Sequence, residues 1–186
     1  HGCVIENVVG GNGSDLIKGN TAHNYLDGGN GRDTLDGGEG IDTAAYSEKR
    51  SAITKNSNGY SVNGDTLINI ERIQFTDTNV ALDLDASAGQ TAKILGAVFG
   101  KDAVSNKEYA GIGLHFLDSG VSYETLMDLA LNAALGDDAN DHASVVKLLY
   151  KNVLSVDASD SDAEPFIQLL DDGMTKGALG VMAAET

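Results

Sequence analysis

The 186-residue chain has one cysteine, one proline and no tryptophan. A single cysteine excludes an intramolecular disulfide. No run approaches the roughly 18 apolar residues that a membrane-crossing helix needs, so membrane insertion is not expected. Basic residues are also scarce. The 12 Lys and Arg stand against 28 Asp and Glu, a formal net charge of −16, and such a chain would be repelled by nucleic-acid phosphates.

Sequence motifs for catalysis are absent as well. The zinc-protease motif His-Glu-x-x-His and the Gly-x-Ser-x-Gly elbow do not occur, and the four histidines are scattered. We therefore expect residues 1–186 not to form an enzyme. The chain begins His1-Gly2-Cys3 without a signal peptide, and we expect it to be a carboxyl-terminal fragment or a processed form of a longer protein.

Glycine, in contrast, is abundant and periodic. Four consecutive nine-residue blocks begin at Gly10, Gly19, Gly28 and Gly37. The first, third and fourth read Gly-Gly-x-Gly-x-Asp, and the eighth position of each block is apolar: Ile17, Leu26, Leu35 and Ala44. A period of nine with tight glycine turns, an acid and one inward apolar residue is typical of a calcium-bound parallel β-roll. A flexible glycine-rich linker is the alternative interpretation, but such linkers lack a fixed period.

The blocks also have the chemistry that calcium requires. Calcium takes six to eight oxygen ligands, and glycine turns expose carbonyl oxygens while the acid adds a carboxylate. Two blocks make one turn of the roll, which predicts that the Asp15 loop stacks on the Asp33 loop and the Asn24 loop on the Asp42 loop. The predicted metal-binding positions are Gly10, Asn12, Asp15, Gly19, Thr21, Asn24, Gly28, Gly29, Gly31, Asp33, Gly38, Gly40 and Asp42.

We expect two calcium ions at these positions. The second site is the weaker one, because the second block has lost two glycines and carries Asn24 in place of Asp. A third, partial site is left open at Glu6, which lies one block before Asp15. The acidic segments 137–138 and 157–162 are more simply interpreted as solvated loops than as further cation sites.

The remaining sequence predicts a change of architecture. Residues 46–86 continue the roll with a hairpin around 56–59 and a corner near Glu71, and they would cover its open end. From residue 87 the apolar spacing is helical, with Leu129 facing inward and Pro165 at a helix start. An offset of about 54 residues relates two copies of a three-helix unit. The fold class is therefore segregated α+β, an N-terminal parallel β-roll (β-solenoid) over 1–86 followed by an all-α helical bundle over 87–186.

Residues 1–45 resemble the RTX β-roll of the serralysin-type secreted metalloproteases, and 4–15 are similar to the segment that leads into their roll. Residues 65–77 resemble a stretch that closes the roll in many RTX proteins. The helical half departs from the proteases. It resembles a helical domain of unknown function found in RTX and surface-layer proteins, through Leu149-Tyr150, the acidic segment 157–162 and Leu170-Asp171-Asp172-Gly173.

The resemblance implies a secreted bacterial protein, extracellular or at the cell surface, exported by type I secretion machinery with an uncleaved signal in the last helix. The leading hypothesis is a non-catalytic calcium-binding module that folds on extracellular calcium and supports secretion and folding of an upstream domain. One alternative is a cell-surface attachment module that binds a protein or glycan. Another is the tail of a serralysin-like zinc metalloprotease.

Overall fold

The computed structural model describes residues 6–186, which form two compact units, one ending at Asp83 and one spanning Leu84–Thr186. Strands occupy the first unit and helices the second. The segregated α+β class is thereby confirmed. The observed division lies three residues before the predicted boundary at residue 86. Val4 and Ile5, part of the segment expected to enter the roll, lie outside the described residues.

Within residues 6–83, ten strands form two sheets. The first sheet contains, in spatial order, β1 (Asn7–Val9), β3 (Tyr25–Asp27), β5 (Thr43–Ala45), β9 (Arg72–Gln74) and β10 (Asn79–Ala81). The second contains β2 (Leu16–Lys18), β4 (Thr34–Asp36), β8 (Asp65–Ile68), β7 (Gly59–Val62) and β6 (Ile53–Asn56). Consecutive repeat strands therefore alternate between the two sheets, as a roll requires.

The register confirms two blocks per turn. Parallel partners in the repeats are 18 residues apart, as in the pairs Leu16 with Thr34 and Tyr25 with Thr43. The middle side chain of each short strand points inward because alternate strand residues face opposite sides. Ile17, Leu26, Leu35 and Ala44 are accordingly all buried and form the core of the roll together with side chains from the later strands.

Antiparallel strands terminate both sheets at the later end of the roll. The predicted hairpin forms between β6 and β7, and β10 pairs antiparallel with β9. The predicted corner lies at residues 69–71, between β8 and β9. These strands cover the parallel stack at that end, where open strand edges would otherwise invite pairing with another chain.

The second unit contains six α-helices in residues 84–186. They are α1 (Ser87–Phe99), α2 (Lys107–Asp118), α3 (Tyr123–Leu135), α4 (His142–Leu154), α5 (Asp160–Asp171) and α6 (Lys176–Ala184). Short 3-10 turns occupy Lys101–Ser105 and Gly136–Asn140. The last three helices begin 55, 53 and 53 residues after the first three. Across residues 6–186, every helix is too short or too polar to cross a membrane.

Equivalent helix ends accompany this recurrence. After α2, Gly120 has φ 88° and the Val121 N–H donates to the Phe116 carbonyl at 3.0 Å. After α5, Gly173 has φ 101° and the Met174 N–H donates to the Leu169 carbonyl at 2.9 Å. Both are glycine-terminated ends in which the left-handed residue lets the chain reverse.

Two expectations for the helices are wrong. Leu129 is 46 % exposed, because α3 packs its other side, with Leu126, Met127 and Leu131, into the core. Pro165 lies inside α5 and not at its start. The helix begins earlier because Ser159 and Asp162 form a reciprocal capping box there, which satisfies amides at the helix start.

Candidate calcium sites

The repeat loops lie on two edges of the roll. Loops 10–15 and 28–33 run from the first sheet to the second, whereas loops 19–24 and 37–42 run back. Loops on the same edge therefore stack in layers, one turn apart. Each edge places the acid position of one layer next to the acid position of the following layer.

On the first edge, three aspartates form a column. The Asp15 N–H donates to Asp33 Oδ1 at 2.9 Å, and the Asp33 N–H donates to Asp65 Oδ1 at 2.8 Å. Backbone bonds run alongside, since the Thr34 N–H donates to the Asp15 carbonyl at 2.8 Å. The structure thus brings the Asp15 and Asp33 loops together and adds a third member, Asp65, from outside the repeats.

The second edge repeats this geometry. The Asn24 N–H donates to Asp42 Oδ1 at 2.7 Å, and the Asp42 N–H donates to Glu71 Oε2 at 2.8 Å. The Tyr25 N–H donates to the carbonyl of Glu6 at 2.6 Å, so Glu6 precedes Asn24 in this second column. We refer below to Asp15, Asp33 and Asp65 as the aspartate column, and to Glu6, Asn24, Asp42 and Glu71 as the mixed column.

Two buried carboxylate oxygens in the columns lack a hydrogen-bond donor. Asp33 Oδ2 and Asp42 Oδ2 are buried and accept no hydrogen bond, and their residues are 2 % and 0 % exposed. The preceding layer differs, because Asp15 Oδ2 accepts from the Gly11 N–H at 2.8 Å. Buried polar atoms in folded proteins are nearly always paired. A cation bound at each edge would be the missing partner of the unpaired carboxylate oxygen there.

Carbonyl oxygens crowd the same layers. Gly29, Gly31, Gly38 and Gly40 all have positive φ, between 80° and 149°. A methyl group on Gly29 would collide with the carbonyl of Gly11, and one on Gly31 with the carbonyl of Gly13. Only glycine permits loops this close. The space between stacked loops is therefore lined by carbonyl and carboxylate oxygens, which are the ligands calcium prefers.

The other predicted positions lie around this space. Gly10 faces the carbonyl of Gly28, and Gly19 faces the carbonyl of Gly37. Asn12 Oδ1 accepts from Asn30 Nδ2 at 2.9 Å, which links the tips of two loops. Thr21 is exposed. The role of each as a calcium ligand stays a prediction.

Burial sets the electrostatics of the columns. Desolvation raises the pKa of Asp42, Asp65 and Glu71 above their ordinary values, because a buried carboxylate loses the solvation of its charge. Neighbouring acids add to this, with Asp33 raising the pKa of Asp65 and Asp42 raising that of Glu71. The pKa of Tyr46 is also raised by burial and by the nearby Asp65. The columns therefore hold negative charge that the fold itself does not neutralise well.

Metal centres of the side-chain type are not present in residues 6–186, where no three His, Cys, Asp or Glu come together as a cation site. A cation in the roll would therefore depend on backbone carbonyls. The acidic segment 157–162 of the helical unit has other roles. Asp162 caps α5, and Asp157 and Asp160 pair with Lys151 and Lys147, each at 3.1 Å.

Sequence reasoning missed Asp65 and Glu71, although two short recurrences indicate them. Asp33-Thr34-Leu35 returns as Asp65-Thr66-Leu67, and both triplets lie in register in the second sheet. Glu6 and Glu71 each follow an isoleucine and immediately precede a strand of the first sheet. The spacing of these recurrences is not a multiple of nine residues, so the nine-residue period does not predict them.

Comparison with known proteins gives one positive finding. No curated protein and no solved structure matches the chain. Residues 9–44 match the family model of the RTX calcium-binding nonapeptide repeat, in four copies. The matched range spans all four stacked loops. Residues 9–44 therefore carry RTX calcium-binding nonapeptide repeats, and these repeats lie on both edges of the roll.

Proposed function

We propose that the chain is a non-catalytic calcium-binding module of a secreted bacterial protein. Its roll folds on extracellular calcium, supports type I secretion and assists the folding of an upstream domain. The observation that carries this proposal is the pair of buried, unpaired oxygens, Asp33 Oδ2 and Asp42 Oδ2, one at each edge.

Without calcium, the folded roll is expected to be unstable. Asp33, Asp42 and Asp65 are buried carboxylates. The Asp33 N–H donates to Asp65 on one edge, and the Asp42 N–H donates to Glu71 on the other. Burying a charge without a partner costs several kcal/mol as an order of magnitude. The glycine-rich loops add a large loss of conformational entropy on folding. Both terms favour the unfolded chain.

Bound calcium would supply the positive charge that the two columns lack. The carbonyls of the glycine loops and the carboxylates of Asp33 and Asp42 would hold it. A ligand that binds only the folded state stabilises that state by about 2.7 kcal/mol per site at 100 times its dissociation constant. Extracellular calcium modules bind at about 0.1–1 mM, far above cytosolic free calcium. The roll would therefore fold after export and not before.

This order of events suits secretion. An unfolded chain fits a narrow export channel, and folding on the outside would oppose its return. The RTX repeats support this proposal because such repeats are typical of secreted bacterial proteins. A roll that folds first would also offer an upstream domain a structured neighbour during its own folding.

The test is a calcium titration from chelator to about 10 mM, a range that brackets extracellular calcium modules, followed by far-UV circular dichroism and thermal melting. Asp33→Asn is compared with Glu39→Gln, which removes the same charge at an exposed position of a repeat loop. We expect the wild type to gain β signal with calcium and Asp33→Asn to need at least about tenfold more calcium. Glu39→Gln should behave like the wild type.

Two results would count against the proposal. Equal calcium midpoints for Asp33→Asn and Glu39→Gln would remove Asp33 from the site. A wild type that ignores calcium would remove the folding switch and favour an attachment role.

The proposed assistance to an upstream domain is tested with a slow-folding reporter enzyme fused before His1. Its recovery after dilution from denaturant should follow the calcium midpoint of the roll, and recovery independent of calcium would refute that part.

A further inference from the structure

We propose that Asn69 and Glu71, which lie outside the four repeats, complete an additional calcium site with Asp42 on the edge of the mixed column. The inference rests on the proposed function, since it requires that the roll binds calcium. It extends the binding surface by one layer beyond the matched range 9–44.

The backbone gives Glu71 the same place as an acid of the repeats. Strands β5 and β9 are parallel partners with Thr43 opposite Arg72, so the residue before each, Asp42 and Glu71, is aligned. Glu71 accepts from the Asp42 N–H at 2.8 Å, and Asp42 accepts from the Asn24 N–H at 2.7 Å. The same hydrogen bond from a backbone N–H to an acidic side chain therefore occurs between two successive pairs of layers. In the second pair, the acceptor Glu71 lies outside the repeats.

An unpaired buried oxygen points to a ligand at this layer. Asp42 is fully buried and its Oδ2 accepts no hydrogen bond. A methyl group on Gly37 would collide both with Asp42 Oδ2 and with the carbonyl oxygen of Asn69. These two acceptors thus converge on one face of Gly37. A bound cation would explain why these two acceptor oxygens lie close together although Asp42 Oδ2 has no hydrogen-bond donor.

The corner has the geometry that holds the Asn69 carbonyl there. Asn69 adopts a left-handed conformation with φ 50°, and its Nδ2 donates to Asp36 Oδ1 at 2.9 Å. The Gly37 N–H donates to the Ile68 carbonyl at 3.0 Å, which fixes the adjoining strand end. The carbonyl of Asn69 faces Gly37 just as the carbonyl of Gly37 faces Gly19 one layer earlier.

A glutamate at position 71, where the repeats have aspartate, suits the short loop between β8 and β9. Residues 69–71 link β8 to β9, whereas six residues, 37–42, link β4 to β5. A side chain that is one methylene longer compensates for a loop with fewer residues. A carboxylate has two oxygens with about four lone-pair sites. Accepting the Asp42 N–H therefore leaves Glu71 with the capacity to bind a cation.

The test counts bound calcium per chain by elemental mass spectrometry after equilibrium dialysis at saturating calcium. Glu71→Gln is compared with Glu39→Gln, the same chemical change at an exposed position of loop 37–42. We expect Glu71→Gln to bind one ion fewer than the wild type while its roll still folds on calcium. Glu39→Gln should bind the wild-type number.

An unchanged ion count and affinity in Glu71→Gln would overturn the inference. If that variant does not fold, Glu71→Asp decides, since it keeps the charge and retracts the oxygens by one methylene. We then expect the last ion to bind at least about tenfold more weakly, and an unchanged titration would overturn the inference. A wild type that binds no calcium refutes the proposed function as well. A shift in Asp33→Asn without any in the Glu71 variants refutes this site alone.

Discussion

The two units differ in what they bury. Among the described residues, the buried polar side chains are Asn24, Asp33, Asp42 and Asp65 in the roll and only Thr91 in the helical unit. The core of the helical unit contains no buried charged side chain among the described residues, and Met127, Leu131 and Val145 are fully buried in it. The roll therefore needs a partner for its interior charge, whereas the helices do not.

The ends of the elements show the same contrast. Five of the six helix starts in the second unit, those of α2 to α6, are capped from within the chain by the side chains of Asn106, Ser122, Asp141, Ser159 and Thr175. Within residues 84–186, only α1 starts without a side-chain cap. In the roll, Asp33 and Asp42 each leave one buried oxygen unpaired. The helical unit thus caps most of its helices with its own side chains, whereas the roll keeps two buried carboxylate oxygens that a bound cation would pair.

The largest effect that would distinguish the stabilities of the two units is expected from a matched pair of core substitutions, one in each unit. Leu35 in the roll and Leu131 in the helical unit are both 0 % exposed. Truncation of either to alanine should cost about 2–5 kcal/mol. The proposed function couples folding of the roll to calcium, so we expect Leu35→Ala to raise the calcium midpoint. Leu131→Ala should lower only the melting transition of the helical unit, which we expect not to respond to calcium. Calcium titration and thermal melting of the two variants measure this.

The wild type in the same buffers is the control for both variants. If Leu131→Ala shifted the calcium midpoint as far as Leu35→Ala does, the two units would fold as one cooperative block.

Sequence alone predicts the parts of this molecule that local rules determine. The nine-residue period determines the strand positions, the 18-residue turn and the inward side chains, because each depends on spacing alone. The later acids of the two columns escape such rules. Asp65 and Glu71 reach their places through a hairpin and a shortened corner. Only the sheet register, a property of the folded chain, aligns them with Asp33 and Asp42.

The helical unit shows a second limit. Spacing predicts the helices, but it does not determine how much of each apolar face is covered. Tyr109, Ile112 and Phe116 of α2 share one face and are each more than a third exposed, because α2 packs mainly on α1. Leu129 is exposed for a related reason. The buried face of a helix is determined by the neighbouring helices, and these are distant from it in the sequence.

A smaller effect of opposite sign in the two units is expected from pH. Burial raises the folded-state pKa of Asp42, Asp65 and Glu71 above their ordinary values of 3.8, 3.8 and 4.5. A raised pKa contributes stability that is present below the ordinary value and is lost as the pH rises through the raised value. In chelator, the roll should therefore gain β signal as the pH falls from about 7 towards about 4.5.

The helical unit should respond the other way. Hydrogen bonds from the Ser144 side chain and N–H hold the pKa of Asp141, the cap of α4, below its ordinary value. Stability from such a group is present above the ordinary pKa and is lost as the pH falls. Circular dichroism at several pH values in chelator would follow both units. A roll that loses β signal on acidification in chelator would contradict the role given to its buried acids.

The smallest expected effect concerns the asparagine of the mixed column. Asn24 is buried, and its N–H donates to Asp42 Oδ1. Asn24→Asp adds a carboxylate at this layer, and calcium sites gain affinity with ligand charge. We expect the calcium midpoint to fall by about threefold to tenfold, and the roll in chelator to become less stable, because one more charge is buried without a partner. Asn58→Asp, the same change in the exposed hairpin loop, is the control. If both variants gave the wild-type midpoint, no cation would lie between the Asn24 and Asp42 loops, and calcium dependence would rest on the other layers alone.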